Sequence, residues 1–563
     1  MNSTTTKPMI SIARLLPAVL AVVAMLLTGA AHAAAPGITG PTFNLTAASA
    51  SISQPDGQLI YSWGYGCTSA PAGYVPSSIT TAACSNMQVP GPTLVVKEGD
   101  AVSVTLTNSL PTAAGNTSIL FPGFNVTASC PASTAAGAPQ QGLLTCEATP
   151  GGTVTYTFTA STPGTRAYYS GTQGDLQVEM GLYGAIIVIP ATPRSATAAG
   201  CTTLGAVPAH YVSPGNIAEA DFRLANSAYD SDKTCYDREY LFQFSEMDPN
   251  IHTQALAQVS DSVRVAACII GATAPGCSLD VPTEPYHPAY FMINGRSMPD
   301  DMDPNYAIEY SHQPYNGNPH MHPGEQVLLR IIGQGRWQHP FHEHGNHVRV
   351  LARDGNLIVS QSDATSLAGP LLFTTTTTPG LAMDGIFYWT GKGLNWDAYG
   401  HNSTSTDPLA KLTCTPDANG YNTAGSAATA LNYYEWCADH NKPMQTAPFG
   451  DVAGGGPVAL PDPNILTNGA WYGGSPYLGP NATERSTGCS NGTSSGTNAA
   501  NCGVTGTTPP SGTIANSPSG EAGFAFMWHS HNEREITTNN IFPGGMMMMM
   551  LVDSREFQID ESN

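Results

Sequence analysis

Histidine dominates the residues of this chain that could do chemistry, and it does so in two short runs: HPFHEHGNH from His339 to His347, and WHSH from Trp528 to His531. In an extended strand residues two apart share a face, so His342 with His344, and His529 with His531, would each present two imidazoles in one direction. Two such strands side by side would gather four ring nitrogens, a set that suits copper, zinc, iron or nickel. The same rings also read as the packed vestige of such a site. His339, His347 and Met546 are weaker candidate ligands. Met546 opens a run of five methionines whose thioethers suit copper(I), although methionine in a strand buried on both sides is plain core filler. His320 and His322 form a further same-face pair, read as a polar strand end or a peripheral copper site. Glu343, Glu533 and Glu535 lie close enough in sequence to add a ligand or orient an imidazole. Alternation puts Glu343 on the face opposite the four imidazoles, where a solvated or edge-blocking charge is expected. No GxSxG, phosphate-cradling loop or HExxH occurs, so hydrolase, kinase and zinc-protease chemistry has no support.

The elements that must position these residues are strands. Short runs rich in Val, Ile, Thr, Tyr and Phe alternate with Gly, Pro and Asn turns, and long segments with a 3.6-residue period are scarce. Four elements recur in one order. VSVTLTN after Gly99-Asp100 matches VLLRIIG after Gly324-Glu325; TSILFPG at Thr117 matches HPFHEHG at His339; TVTYTF matches GIFYW; and YYSGT before GLYGAIIV matches WHSHN before GGMMMMMLV. The repeat predicts two homologous sandwiches. It sets Leu120 and Pro122 where His342 and His344 stand, and Tyr169 and Gly171 where His529 and His531 stand, so the first unit lacks ligands at all four positions. Tyr168, Tyr169 and Trp528 would lie near the histidine strands, as pocket walls or as ordinary sandwich packing.

Lys7, Arg14, an apolar run from Leu15 to Leu27 and Ala31-His32-Ala33 have the layout of a cleavable secretory signal, with an uncleaved anchor as the alternative. The expected organisation is a signal at 1–33, a first domain at 40–192, a connecting segment at 193–235, and a second domain at 236–555 interrupted by an insertion at 391–522. That insertion is read as a disulfide-pinned loop domain or lid, or else as a third β-domain. Twelve cysteines in an exported chain point to disulfides, with the short-range neighbours Cys67/Cys84, Cys130/Cys146, Cys201/Cys235, Cys268/Cys277, Cys414/Cys437 and Cys489/Cys502 as the expected pairs. Export would end in the periplasm, on the surface or in the medium. A net charge of −21 repels nucleic acid and anionic lipid. No stretch beyond the signal is long and apolar enough to insert in a membrane. The expected partner is a metal ion, with a homo-oligomer left open.

These motifs resemble the multicopper oxidases, the laccase-like superfamily built from cupredoxin domains. VPGPTLVVKEGDAVSVTLTN at Val89–Asn108 and QVEMGLYGAIIV are similar to the family's opening and closing strands, HPFHEHG to its HPxHxH element, and WHSHNEREITTNNIFPGGM to its closing motif with a longer spacer. The resemblance implies an all-β fold: tandem cupredoxin-like Greek-key β-sandwiches with a long disulfide-pinned insertion in the second. It implies copper as cofactor and an oxidoreductase ancestry. The family's relay cysteine is matched here by Ser530, a hard hydroxyl where a soft thiolate is needed, and its second type 1 histidine by Glu535. Half of the eight trinuclear-cluster histidines are absent. The expectation is therefore a non-blue histidine site at His342, His344, His529 and His531 without laccase-type four-copper catalysis. Whether it turns over substrate is open: a metalloenzyme, or a non-catalytic copper-binding or structural surface protein on a degenerate scaffold.

Overall fold

The computed structural model describes residues 35–194 (except 78, 132–134 and 136), 223–392, 522–553 and Ile559, with short pieces at 212–213, 217–218, 415–423, 436–438 and 474–478. The expected signal at 1–33, much of the connecting segment and most of the insertion lie outside the described residues.

In the N-terminal half the main strands are β1 (Thr42–Ser53), β2 (Leu59–Cys67), β3 (Leu94–Lys97), β4 (Ala101–Asn108), β5 (Thr153–Thr159), β6 (Gly164–Tyr169) and β7 (Tyr183–Ile189). In β5, exposed threonines alternate with buried Val154, Tyr156 and Phe158, the period of a strand with one face in a core. β7 is instead an apolar run buried on both faces up to its last residue, as a strand between two packed layers must be. One sheet has the order β2-β1-β4-β5 and the other contains β6-β7-β3. Their facing side chains, Trp63, Tyr156, Phe158 and Ile186 among them, make one core.

The second half builds the same frame from β8 (Arg238–Met247), β9 (Tyr290–Ile293), β10 (Gln326–Gly333), β11 (His339–Glu343), β12 (Val348–Arg353), β13 (Ala382–Tyr388), β14 (Ala522–Ser530) and β15 (Met547–Asp553). The order β9-β8-β10-β13 repeats β2-β1-β4-β5, with β8/β10 parallel like β1/β4 and β10/β13 antiparallel like β4/β5. The opposing sheet runs β15-β14-β11 to a strand at Thr374–Thr377. Phe341, Phe526, Trp528 and Met546, Met547, Met548 and Met550 fill the core between them. The chain is thus all-β, two tandem cupredoxin-like sandwiches.

Two features depart from expectation. Helices α1 (Pro249–Val259) and α2 (Ser262–Ile270) follow β8, with Asp248 capping α1 by accepting from the Asn250 N–H and Pro249 in its first turn. The insertion also contributes a strand, Gly474–Leu478, which pairs with β14. Of the expected disulfides, Cys67–Cys84, Cys130–Cys146 and Cys268–Cys277 are formed. Cys235 and Cys437 are also disulfide-bonded, while the expected partners Cys201 and Cys414, and the Cys489/Cys502 pair, lie outside the described residues. Among the described residues no helix is long and apolar enough to cross a membrane.

The sandwiches meet across an apolar seam of Ala167, Ala185 and Ile187 against Leu241, Ile332 and Ala382. A polar tie runs beside it. Asp384 accepts from the Thr165 hydroxyl at 2.6 Å, and Arg330 donates to Thr165 Oγ1 at 3.0 Å and to Glu239 Oε2 at 2.7 Å. All four residues are buried, so the charges are paired where lone ones would be costly.

Candidate metal centre

β11 and β14 lie side by side and antiparallel, with His342 opposite His529 and Phe341 opposite Ser530. Alternation then sorts the pair into two faces. Phe341 and Trp528 point into the core, and Trp528 Nε1 donates to the His344 carbonyl at 2.9 Å, tying that backbone to the sandwich. His342, His344, His529 and His531 share the other face. Their ring centroids stand 4.8 Å apart for His342/His344 and His342/His531, 5.0 Å for His344/His529, 5.6 Å for His342/His529 and 5.7 Å for His529/His531. His342, His344 and His529 are buried and His531 is exposed, so the cluster opens on one side.

The chemistry of these rings suits a cation. Burial, reinforced by repulsion from His344, His529 and His531, pushes His342 down to about 4, and burial also lowers His529. Both rings are therefore neutral at pH 7, the form that ligates. His529 Nδ1 faces the Ser530 carbonyl at 2.7 Å; a carbonyl only accepts, so Nδ1 carries the proton and Nε2 the lone pair. That Nε2 stands 3.1 Å from His344 Nε2. Two nitrogens that share an ion at about 2.0 Å each sit about 3 Å apart, so this pair is already spaced as two ligands of one ion. His342 Nδ1 is held by Thr374 Oγ1 at 2.6 Å, a partner that orients the ring. His342 meets His344, His529 and His531 edge to face, as His344 meets His529, and among the described residues no three His, Cys, Asp or Glu side chains stand with their donor atoms already arranged around one ion.

The weaker candidates fall elsewhere. His339 lies on the core face of β11, fully buried, with Nε2 2.9 Å from Glu246 Oε2 and Nδ1 2.9 Å from Glu535 Oε2. Burial opposes a charge there, but the hydrogen bonds to Glu246 and Glu535 outweigh it and raise His339 to about 9, so the ring is an imidazolium. Ser530 donates to the same Glu535 oxygen. Ser530, Glu535 and His339 thus form a closed hydrogen-bonded set, and Glu535 orients His339 and none of the four clustered rings. Met546 is a fully buried core residue. His347 packs its ring on Phe373 at 3.7 Å. His320 and His322 are buried and turn their Nδ1 atoms to Asp553, at 2.6 Å from its carboxylate and 2.9 Å from its carbonyl.

Glu343 corrects the sequence reading: it does lie opposite the imidazoles, but that face is the core and not solvent. It is fully buried, accepts from Thr375 Oγ1 at 2.6 Å, and burial raises its carboxyl well above the usual range. Tyr168 and Trp528 are core residues, whereas Tyr169 is half-buried at the seam between the sandwiches. Glu246 was missed altogether, although a carboxylate near the end of the apolar run from Tyr240 to Met247 was a signal that it needed a buried partner.

Residues 69–193 match the family model described as multicopper oxidase. The chain is 41% identical over 103 residues to an L-ascorbate oxidase of Brassica rapa subsp. pekinensis, a match that covers 18% of this chain and 16% of that relative. Among solved structures it is similar to the multicopper oxidase mgLAC, at 14% identity and a TM-score of 0.40 over 92% of this chain and 87% of that one. It is likewise similar to a blue copper oxidase from Nitrosomonas europaea, at 15% identity and a TM-score of 0.39 over 90% and 85%.

Proposed function

We propose that this chain, whose residues 69–193 match a multicopper oxidase family model, is an exported transition-metal-binding protein whose metal is copper, held at a non-blue site by His342, His344, His529 and His531. The observation that carries this reading is the gathering of four imidazoles on one face of β11 and β14, with neighbouring ring centroids 4.8 to 5.7 Å apart. Copper bound there would supply a Lewis-acidic, redox-active centre. The chain's own residues prepare the place for it: desolvation keeps His342 neutral, Thr374 holds its ring, and Trp528 fixes the His344 backbone. Where a blue centre needs a thiolate this chain has Ser530, whose hydroxyl donates to Glu535, and Glu535 is bonded in turn to His339. Export is supported by the three disulfides formed among the described residues.

The rival reading, a non-catalytic copper-binding or structural protein, draws support from the loss of ligands in the first sandwich, where Leu120 and Tyr169 form the cross-strand pair that His342 and His529 form in the second. Elemental analysis of the purified protein after copper loading and desalting, beside a His529→Ala/His531→Ala double variant, tests the site. About one copper per chain, lost in the variant and without strong blue absorbance, is the expected result. Equal retention by both proteins, or none by either, would overturn it.

A further inference from the structure

Residues 282–288, between α2 and β9, reach from the second sandwich onto the first as a strap. The Thr283 hydroxyl donates to Asp175 Oδ2 at 2.9 Å, and the Tyr286 hydroxyl lies 2.6 Å from Glu179 Oε2. On its own side Arg336 donates to Glu284 Oε1 at 2.6 Å and to the Thr283 carbonyl at 2.8 Å, and lies over the Tyr286 ring at 4.2 Å. Pro282, Glu284, Pro285 and His287 are exposed, and the three prolines of the strap have no N–H to give, so side-chain ties must hold it. Gly174, Val178 and Arg336 stand beside these ties and line a cavity of about 310 Å³ between the sandwiches, so the strap runs along its rim.

The Tyr286 tie turns on the placement of protons. Its hydroxyl also lies 3.4 Å from Glu246 Oε1, and a phenol has one hydrogen to give. With a proton of its own, Glu179 donates to the Tyr286 oxygen and Tyr286 donates on to Glu246, so each group is satisfied. Without it, two buried carboxyl groups compete for one hydrogen. Glu179 also finds no uncommitted cation among the groups that face it. Arg336 is spent on the strap, and Glu246 is paired at its other oxygen with the His339 imidazolium. His252 on α1 has its Nε2 3.7 Å from Glu179 Oε1, but burial pushes that ring down to about 4 and leaves it neutral. Asp248 at the start of α1 is itself acidic and offers its N–H, at 2.6 Å from Glu179 Oε1. Tyr183 on β7 gives its hydrogen to Ser245.

We propose that residues 282–288 are a pH-operated strap: a proton on Glu179, passed through Tyr286 toward Glu246, fastens it along the rim of the cavity, and loss of that proton to solvent as pH rises releases it. Burial above all, with the charge of Glu246 adding to it, raises the Glu179 carboxyl to about 8 while the strap is closed. Uncovered to water it returns to the ordinary 4.5. Closure is therefore strongest below pH 4.5, weakens as pH rises to about 8, and changes no further beyond that.

Amide hydrogen exchange of the full chain tests this, with each rate divided by that of an unstructured peptide at the same pH. The reporter is the His287 N–H, which donates to Asp248 Oδ2 at 2.8 Å while the strap is closed. Its protection should fall at least about tenfold between pH 5.5 and pH 8.5. Glu179→Gln, whose amide N–H stands in for the carboxyl proton, should hold that protection within about threefold over the same range. His339 is unchanged in this variant, so the comparison separates the strap from the His339 tie. Tyr286→Phe keeps the ring beside Arg336 and Trp337 but loses the hydroxyl, and should lower protection at pH 5.5 by about tenfold, the worth of such a hydrogen bond. Each variant is first checked for native circular dichroism. Flat protection in the wild type, an equal fall in Glu179→Gln, or unaltered protection in Tyr286→Phe would each overturn the proposal.

Discussion

The two sandwiches set the same positions to different chemistry. In the second, Ser530 donates to Glu535, which is bonded to His339. In the first, Ser170 donates to Gln177 at 2.7 Å, which also accepts from Thr117 at 2.9 Å, and Ser170 and Thr117 are the repeat counterparts of Ser530 and His339. Each frame therefore ties its closing strand to the strand beside it by a serine and a side-chain acceptor. One tie is neutral and the other is ionised. On the outer faces Leu120 opposes Tyr169 where His342 opposes His529. The comparison teaches that the serine at 530 belongs to the frame shared by both halves, and that the halves differ by a handful of side chains set on that frame.

The largest test of the contrast is removal of the charged tie. His339→Ala leaves Glu246 and Glu535 buried without their shared cation and should cost about 3–5 kcal/mol, read from denaturant midpoints. Thr117→Ala in the neutral tie should cost no more than about 1.5 kcal/mol. The His339 contribution also has a pH signature. Its folded value, about 9, lies above the ordinary 6.5, so the stabilisation is complete below pH 6.5 and is lost as pH rises through 9. The stability gap between wild type and His339→Ala should narrow over that window.

Next in size, His342→Leu/His529→Tyr gives the second sandwich the cross-strand pair of the first. It should lower copper affinity by more than about 100-fold, beyond the 10–100-fold range of outer partners, in competition with a chromogenic chelator. Retained affinity would mean that the imidazoles are packing alone. Thr374→Ala removes only the partner of His342 Nδ1 and should cost about tenfold in the same assay. Ser530→Cys is expected to do least: with His339 still clamped between two carboxylates, copper-loaded protein should show no intense blue band, and such a band would overturn the view that this tie excludes the blue centre.

Much of this was legible in the sequence because strand alternation is strict. A period of two places His342, His344, His529 and His531 on one face, and the repeat matches them to Leu120, Pro122, Tyr169 and Gly171. Three things were not legible, each for a physical reason. Glu246 reaches His339 from the opposing sheet, 93 positions away, and such a contact leaves no local pattern. Glu343 was placed on the correct face, but which face is solvent depends on what covers the sheet. α2 leaves Val263, Ile269 and Ile270 exposed at 77–83%, so its apolar run imitates a buried strand.

The tie of Thr165, Asp384, Arg330 and Glu239 has a consequence for how the molecule comes apart. Separating the sandwiches would strip Asp384 of a donor and open an apolar seam to water, so the stability of each half is tied to the other. Heating should therefore give a single calorimetric transition whose enthalpy belongs to both halves together, and the order of melting that tandem domains often show should be absent.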